Sequence, residues 1–389
     1  MAGRDYLEIR REFFKNVRRV VIKIGSGVLT EAHGLNLKVM DNIVKDVCDL
    51  KKDGLQIILV SSGAVASGIK KMRLSERPCN IPQKQAVASI GQCHLILEYE
   101  RCFEKYQQGV AQILLTRDDL MSRTRYLNAR NTLNTLLKWN IVPIINENDT
   151  VVVEELKFGD NDSLSALIAH LMDAEMLINL TDIDGLFDKD PRVSPGAELI
   201  RVVEDISPKI ERAARSIPGA LGTGGMLSKV MAARIVSTSG IPMVIANGLK
   251  EGILKRLFEG EEVGTFFLPK KQKLAKRKCW IAFTQKIEGV VVVDDGASEA
   301  ILNKGKSLLP SGILDVQGEF GVGSAVRCER DDGTLIAIGL VNYGDSDIRR
   351  IKGLKTSEIK QRLGFKHYDE VIHRDNLVLM TGQEYLVKG

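Results

Sequence analysis

Short apolar runs alternate with amphipathic stretches from Val17 to about Phe267. Most of these runs end in Gly, Ser, Asp, Asn or Thr. Short apolar runs separated by helices are typical of a parallel sheet in an α/β domain. The pattern predicts strands in VRRVVIKIG, QIILVSSGA, GVAQILLT, IVPIINEND, EMLINLTD and IPMVIANG, and helices over Asn36–Asp53, Asn128–Trp139, Ser163–Met172 and Met226–Ser239. Parallel sheets bind ligands at the carboxyl ends of their strands, so the polar run ends mark a candidate site.

The pattern changes after Phe267. The segment LPKKQKLAKRK carries six basic residues and predicts an exposed linker. Short strands with turns follow in CWIAF, EGVVVVDD, GILDVQGEF, SAVRCER and GTLIAIGLVNYG, with helices near Ala297–Lys304 and Asp345–Gly353. We therefore predict an N-terminal helical extension over 1–16, an α/β domain over 17–267, a linker over 268–278, a small mostly-β domain over 279–360 and a tail over 361–389.

Composition narrows the class of protein. The 389 residues are too many for one typical domain, and 44% hydrophobic with 27% charged residues is ordinary for a globular chain. A net charge of +5 permits contact with nucleic acid or anionic substrates without requiring either. The six cysteines form no C-x-x-C pair and do not cluster with the five histidines, which indicates reduced thiols in a cytoplasmic protein. A secretory signal and a membrane-spanning helix are not expected.

Several familiar nucleotide-binding motifs are missing. The chain has no G-x-x-x-x-G-K-[ST] P-loop, and no G-x-G-x-x-G follows a strand. His373, Arg374 and Asp375 spell the H-R-D of protein kinases, but no D-F-G follows. We interpret that match as coincidence.

Glycine-flanked loops at the predicted strand ends carry the candidate chemistry. Lys23 is followed by Gly25 and Gly27, so backbone N–H groups and an ammonium are directed at one spot, as a polyphosphate needs. A plain turn is the alternative. The small residues of Ser61-Ser62-Gly63-Ala64 let a ligand approach the backbone, or serve tight strand–helix packing.

Two further loops are rich in carboxylates. They read Asn146-Glu147-Asn148-Asp149 and Gly159-Asp160-Asn161-Asp162. Either one alone is most often a helix cap or turn. Together they suit a site that binds an amino group, or that organises lysines and Mg²⁺.

The last two loops suit a nucleotide. Thr181 and Asp182 end a strand, and Gly222-Thr223-Gly224-Gly225-Met226 opens a helix with Lys229 in its first turn. A glycine-rich loop that leads into a helix with an early lysine is a phosphate-binding arrangement, although the spacing is not that of the P-loop.

In combination these loops resemble the amino acid kinase superfamily and, within it, the glutamate 5-kinases. The resemblance covers nearly the whole chain after the extension, through VIKIGSGVLT, LVSSGAVASG, LNARNTL, VPIINENDTV, FGDNDSLSALIA, LTDIDGLFDKDPR and LGTGGMLSKVMAA. The segments EGVVVVDDGASEAIL, GKSLLPSGI and GDSDIRRI resemble a PUA domain. The resemblance implies a three-layer αβα sandwich with a mainly parallel sheet, followed by a small mostly-β PUA-like barrel.

It also implies phosphoryl transfer from ATP, with Mg²⁺, to the side-chain carboxylate of L-glutamate as the first step of proline biosynthesis. Proline inhibition and a dimer or tetramer are implied as well. The implied catalytic residues are Lys23, Lys229 and Asp162, where Asp162 orients the two lysines. The implied glutamate-binding residues are Ser62, Asp149 and Asn161. The implied ATP-binding residues are Lys23, Gly25, Thr181, Asp182, Thr223, Gly224, Gly225, Met226 and Lys229.

One departure and two alternatives accompany the resemblance. Gly27 stands where many members of the family have a second hydroxyl residue, so a side-chain contact from that position is not expected. An N-acetylglutamate or aspartate kinase would share the general plan. An RNA-binding role for the PUA-like domain is the other alternative, and it rests on that domain and the basic linker.

Overall fold

The computed structural model describes residues 6–31, 34–74, 76, 78–151, 161–218, 225–271 and 275–380. The chain divides into two compact units, Met1–Lys273 and Leu274–Gly389. The finer division at residues 16, 267, 278 and 360 stays a prediction. Among the described residues, no helix has both the length and the apolar character that crossing a membrane requires.

The first unit is built on a large sheet. Its strands in the described residues are β1 (Arg19–Ile24), β2 (Thr30–Glu31), β3 (Gly34–Leu35), β4 (Gln56–Ser61), β5 (Val110–Leu115), β6 (Val142–Glu147), β7 (Met176–Thr181), β8 (Val202–Val203), β9 (Met243–Asn247) and β10 (Thr265–Phe267). The sheet order is β5-β6-β4-β1-β7-β9-β10-β8, and β2 pairs with β3 separately. Neighbouring strands are parallel except that β10 is antiparallel to β9. The predicted mainly parallel sheet is confirmed.

Helices cover both faces of this sheet. In the described residues they are α1 (Tyr6–Asn16), α2 (Ser26–Leu29), α3 (Leu37–Lys52), α4 (Ala64–Met72), α5 (Ile81–Glu104), α6 (Arg117–Met121), α7 (Arg123–Lys138), α8 (Asn161–Leu171), α9 (Pro208–Arg215), α10 (Met226–Thr238) and α11 (Ile253–Phe258). Caps define several ends: the Asn36 side chain accepts from the Val39 N–H, and the Asn80 side chain accepts from the Gln83 N–H. The predicted helices therefore form, within a few residues of their predicted bounds.

The alternation of β1 sends its side chains to two different layers. Val20, Ile22 and Ile24 join the core that includes residues of α3, α5 and α11. Lys23 points to the opposite face, where α8 packs against β1 and against α10. The strand that supplies the core on one face thus supplies a lysine to the other.

The N-terminal helix α1 packs into the first unit. Ile9 and Phe14 are buried, and the Phe14 ring meets Phe258 edge-on at 5.2 Å. Arg10 is also buried, and its guanidinium donates to the Val263 carbonyl at 2.6 Å. Burial lowers the pKa of Arg10 to about 10. Residues of the predicted extension therefore contribute to this unit's packing.

The second unit is mostly β, as predicted. Its described helices and strands are α12 (Lys276–Thr284), β11 (Ile287–Val293), α13 (Asp295–Lys304), β12 (Ile313–Gly318), β13 (Ala325–Glu329), β14 (Leu335–Leu340), α14 (Asp345–Ile351), α15 (Ile359–Leu363) and β15 (Leu377–Leu379). The sheet order is β12-β11-β13-β14-β15. Since β15 pairs with β14, residues placed in the predicted C-terminal tail belong to this sheet.

The prediction of a strand in CWIAF is wrong, because these residues lie in α12. Cys279 and Ile281 are buried, and Ile281 packs with Ala325, Ile338 and Val378 of the sheet. A short apolar run does not by itself distinguish a strand from a buried helix. Packing against β14 and β15 decides for the helix.

Candidate functional site

The candidate residues come together at the carboxyl ends of adjacent parallel strands. β4, β1 and β7 are neighbours in the sheet, and Lys23 in β1 pairs with Val60 in β4 and with Asn179 in β7. The polar residues that follow these strands therefore lie along one edge. Helices α8 and α10 begin close to that edge, because the contacts of Asp162 and Lys229 described next tie their first turns to β1.

A single buried carboxylate organises this edge. Asp162, in the first turn of α8, contacts Lys23 Nζ through Oδ1 at 2.5 Å and Lys229 Nζ through Oδ2 at 3.1 Å. Two neutral donors join the lysines: Asn179 Nδ2 lies 2.6 Å from Oδ1, and Ser228 Oγ lies 2.7 Å from Oδ2. The three residues predicted to be catalytic are thus in direct contact.

The charges of this cluster do not cancel. Asp162 is 0% exposed, and Lys23 and Lys229 are 3% and 5% exposed. Two ammonium groups and one carboxylate leave an excess of one positive charge. In a buried site such a charge is screened little by salt. Helix α10 begins after its N-cap Gly225, and the backbone N–H groups of its first turn add partial positive charge. The cluster is therefore suited to a polyanion.

The predicted substrate residues Asn161 and Ser62 form a second network. Asn161 Nδ2 donates to Ser62 Oγ at 2.8 Å, to Asn146 Oδ1 at 3.0 Å and to the Ser61 carbonyl at 3.2 Å. Asn146 Nδ2 donates in turn to Gln92 Oε1 at 2.7 Å. The buried Asn161 Oδ1 has no hydrogen-bond partner within the described residues. An unpaired buried acceptor beside a polar network is a place for a ligand donor.

Two carboxylates flank the end of β6. Glu147 ends the strand and Asp149 follows it two residues later. Burial raises the pKa of Asp149 to about 6. Burial, together with the nearby Asp149 charge, raises the pKa of Glu147 to about 7. Carboxylates that are costly to ionise alone are stabilised by a cation, so this pair suits an ammonium group.

Three of the predicted nucleotide residues, Thr181, Asp182 and Gly25, lie at the end of β7 and in the loop after β1. Thr181 Oγ1 donates to Asp182 Oδ1 at 3.0 Å, and the Gly25 N–H donates to the Leu180 carbonyl at 3.0 Å. A Cβ atom at Gly27 would lie 3.1 Å from Asp182 Cγ, so the missing side chain allows the loop to approach Asp182 closely.

The phosphate loop is described only from Gly225 onward. Gly225 is the N-cap of α10, and the buried Met226 donates its N–H to the Ile217 carbonyl. Thr223 and Gly224 lie outside the described residues. Their predicted nucleotide contacts stay predictions.

Sequence reasoning did not single out three polar residues of the site, namely Asn179, Ser228 and Gln92. It named Asn146 only as part of a carboxylate-rich loop, without a role of its own. Asn179 could have been found as the one polar residue in the apolar run MLINL, and Ser228 as the neighbour of Lys229. Gln92 carries no such signal, because it sits on a long helix far along the chain from β6.

The described residues offer no group of three or more His, Cys, Asp or Glu side chains that would hold a metal ion. A dedicated protein cage for Mg²⁺ therefore does not fit this part of the chain.

Comparison with known proteins decides the family. The model of the amino acid kinase family matches residues 18–247, which is more than half of the chain. The chain belongs to the amino acid kinase family. A separate match of the PUA domain to residues 289–363 falls within the mostly-β second unit.

Similar full-length relatives are glutamate 5-kinases. The one from Caldanaerobacter subterraneus subsp. tengcongensis is 50% identical over 369 residues, covering 94% of this chain and 99% of the relative. Those from Syntrophus aciditrophicus and Geobacter sulfurreducens are each 51% identical over 373 residues, covering 96% of this chain and 97% and 100% of theirs. The family match and these relatives confirm the resemblance inferred from the loops.

Proposed function

We propose that this protein is a glutamate 5-kinase, which converts ATP and L-glutamate to ADP and L-glutamyl 5-phosphate in the first step of proline biosynthesis. The observation that carries the proposal is the buried Lys23–Asp162–Lys229 cluster at the strand ends. It occurs in a chain about half identical to glutamate 5-kinases along nearly its whole length.

The reaction brings two anions together. A γ-carboxylate oxygen of glutamate attacks the γ-phosphorus of ATP, the bond from that phosphorus to the bridging oxygen breaks, and ADP leaves with the electron pair. The acceptor is already ionised, so no general base is needed. Catalysis then depends on positioning and on stabilising the charge of the transferring group.

The two lysines supply that stabilisation. Lys23 and Lys229 approach from β1 and α10, and each uses one oxygen of Asp162 as its anchor. An ammonium can donate three hydrogen bonds, so the contact with Asp162 alone does not use the full donor capacity of either group, although Lys229 Nζ also lies 3.5 Å from the Gly225 carbonyl. Because the cluster is buried and already ordered, little reorganisation is needed as charge develops.

The acceptor side would hold glutamate by its polar ends. Asn161 Oδ1 and the carboxylates of Asp149 and Glu147 are acceptors for the α-ammonium, while Ser62 Oγ is a donor for a carboxylate oxygen. A pocket with acceptors for an ammonium favours glutamate over N-acetylglutamate, whose nitrogen is an uncharged amide.

On the nucleotide side, Gly25, Thr181, Asp182 and the segment Thr223–Lys229 would bind ATP. Mg²⁺ would arrive with the nucleotide. This ion commonly keeps several of its water ligands and is bound by substrate phosphates together with one or two carboxylates. It would add positive charge at the transferring group.

An acceptor panel tests the proposal. ADP release should require glutamate and should stay near background with N-acetylglutamate, aspartate or UMP. Hydroxylamine should trap an acyl phosphate as the hydroxamate, which matters because γ-glutamyl phosphate is labile and cyclises. If hydroxamate formed from aspartate, or if ADP were released with UMP, that compound and not glutamate would be the acceptor.

The raised pKa values predict a pH dependence of glutamate use. The α-ammonium is stabilised by ionised carboxylates, and Asp149 and Glu147 ionise only as pH rises through about 6 and about 7. The kcat/KM for glutamate should therefore rise from about pH 5.5 to about pH 8, because this parameter reports groups of the free enzyme. Initial rates at saturating ATP measure it.

The variants Asp149→Asn and Glu147→Gln serve as the matched pair for that profile. Each should lower kcat/KM at high pH and remove the transition that belongs to its own carboxylate. A wild-type profile that is flat over this range would contradict the role of the two carboxylates.

Two features of the proposal come from the family alone, namely inhibition by proline and a dimer or tetramer. Inhibition by proline, which initial rates with added proline measure, would act at the glutamate site because proline is a cyclised relative of glutamate. A dimer or tetramer is tested by light scattering. A cytoplasmic location is proposed from the cysteine pattern, which is typical of reduced thiols, and is tested by fractionation. RNA binding by the PUA domain stays the alternative role, and a filter-binding assay at low salt would end it if no affinity above background appeared.

A further inference from the structure

We infer that Asn179 and Ser228 are positioning residues for phosphoryl transfer, which hold Asp162 so that Lys23 and Lys229 remain directed at the transferring group. The inference rests on the proposed function. Neither residue belongs to the set predicted from the sequence. Both act through the Asp162 carboxylate and are not expected to touch the substrate.

Asn179 occupies a position where an apolar residue would be expected. It lies in β7 directly beside Lys23 and is 0% exposed in a strand whose other residues are apolar or end the strand. Its Nδ2 donates to Asp162 Oδ1 at 2.6 Å, the same oxygen that Lys23 contacts. Its Oδ1 is buried with no partner within the described residues. Burying an amide whose oxygen has no hydrogen-bond partner lowers stability. The hydrogen bond that Asn179 donates to Asp162 explains why an asparagine stands at this position.

Ser228 supplies the matching donor on the other oxygen. It lies in α10 one residue before Lys229, and its Oγ is 2.7 Å from Asp162 Oδ2 and 2.7 Å from the Gly225 carbonyl. A hydroxyl has one hydrogen, and the ionised carboxylate is the stronger acceptor of the two. The same helix turn thus carries one neutral and one charged donor to a single oxygen.

At least four donors share the two oxygens of the carboxylate. Each oxygen of an ionised Asp has about two acceptor positions. Here Oδ1 receives Lys23 and Asn179, and Oδ2 receives Lys229 and Ser228. Neither lysine has a second position on Asp162 to occupy. Removing a neutral donor would open one, and the adjacent ammonium would turn toward the carboxylate and away from the transferring group.

This reasoning predicts a loss of turnover without a loss of binding. We expect Asn179→Leu and Ser228→Ala each to lower kcat about tenfold, because small misplacements in a reacting centre are costly. The KM for glutamate should stay within about twofold. Ser228→Thr, which keeps the hydroxyl, should restore most of the wild-type kcat. The full chain is used, with steady-state rates at saturating ATP.

A control separates positioning from general stability. Ser237 lies in the same helix α10, is 4% exposed and donates to the Arg234 carbonyl, so Ser237→Ala also removes a buried hydroxyl. It should leave kcat unchanged. The thermal unfolding temperature of each variant is measured together with its kcat, which shows whether a variant with low turnover is folded. Ser228→Ala and Ser228→Thr change fewer atoms than Asn179→Leu. If Asn179→Leu fails to fold, the kcat values of the two Ser228 variants still test the inference.

Two results would overturn the inference. One is a wild-type kcat in folded Ser228→Ala and Asn179→Leu. The other is a rise of KM for glutamate with kcat unchanged, which would place these residues in binding. Failure of the proposed function would look different: wild-type protein would turn over another acceptor of the panel, and the variants would then be scored with that acceptor.

Discussion

Replacing Lys23 by alanine should lower kcat by about 10²–10³-fold or more, and replacing Lys229 should do the same, since each removes one donor to the transition state. The KM for glutamate should change far less, because neither lysine belongs to the network of Asn161 and Ser62. Steady-state rates with varied glutamate and ATP measure both parameters. Near-wild-type turnover in either variant would remove that lysine from the mechanism.

The lysine variants need two controls. Losing one lysine leaves the buried Asp162 with a single counter-charge, which lowers stability, so thermal unfolding of each variant must show that it is folded. Lys105→Ala removes an exposed lysine that pairs with Asp41 at 2.7 Å on a different part of the unit. It should leave both kcat and stability close to those of the wild type, since exposed ion pairs contribute little.

The variant Asp162→Asn should bind glutamate and lose most turnover, with kcat down by about 10²-fold. The amide keeps the size of the carboxylate but removes the charge that holds two ammonium groups together. It also replaces one acceptor oxygen by an N–H₂ donor, which would face two of the donors now present. Isothermal titration with glutamate and steady-state kinetics measure the two halves of this prediction.

A matched control for Asp162→Asn is available elsewhere in the unit. Asp46 is 7% exposed and accepts from the Leu254 N–H at the start of α11, so Asp46→Asn also neutralises a buried aspartate. That variant should lower stability and leave kcat unchanged. If Asp162→Asn raised only the KM for glutamate, Asp162 would be a binding residue and the cluster would not be the catalytic centre.

Much of the first unit follows from local patterns. Strands β1, β4, β6 and β7 are short apolar runs bounded by turn residues, and helices α3 and α10 show helical spacing, so neighbours along the chain are sufficient to predict them. The strand-end rule for parallel sheets then directs Lys23 to the candidate site without a structure.

Local patterns failed where packing decides the outcome. The run CWIAF has the composition of a strand, yet α12 forms there because its apolar residues pack against β14 and β15. The contribution of α1 to the first unit has the same cause. Arg10 reaches Val263, more than two hundred residues away, and no window of sequence contains both.

The sequence predicted the parallel sheet and its strand-end loops, because strand position and loop composition are local properties. The family resemblance carried by those loops implied that Lys23, Asp162 and Lys229 belong to one site. The tertiary structure alone decided that Asp162 receives two neutral donors besides the lysines, and that Asn161 connects through Asn146 to Gln92. Those contacts join residues from separate strands and helices, and only the packing of α5, α8 and α10 on the sheet brings them within hydrogen-bonding distance.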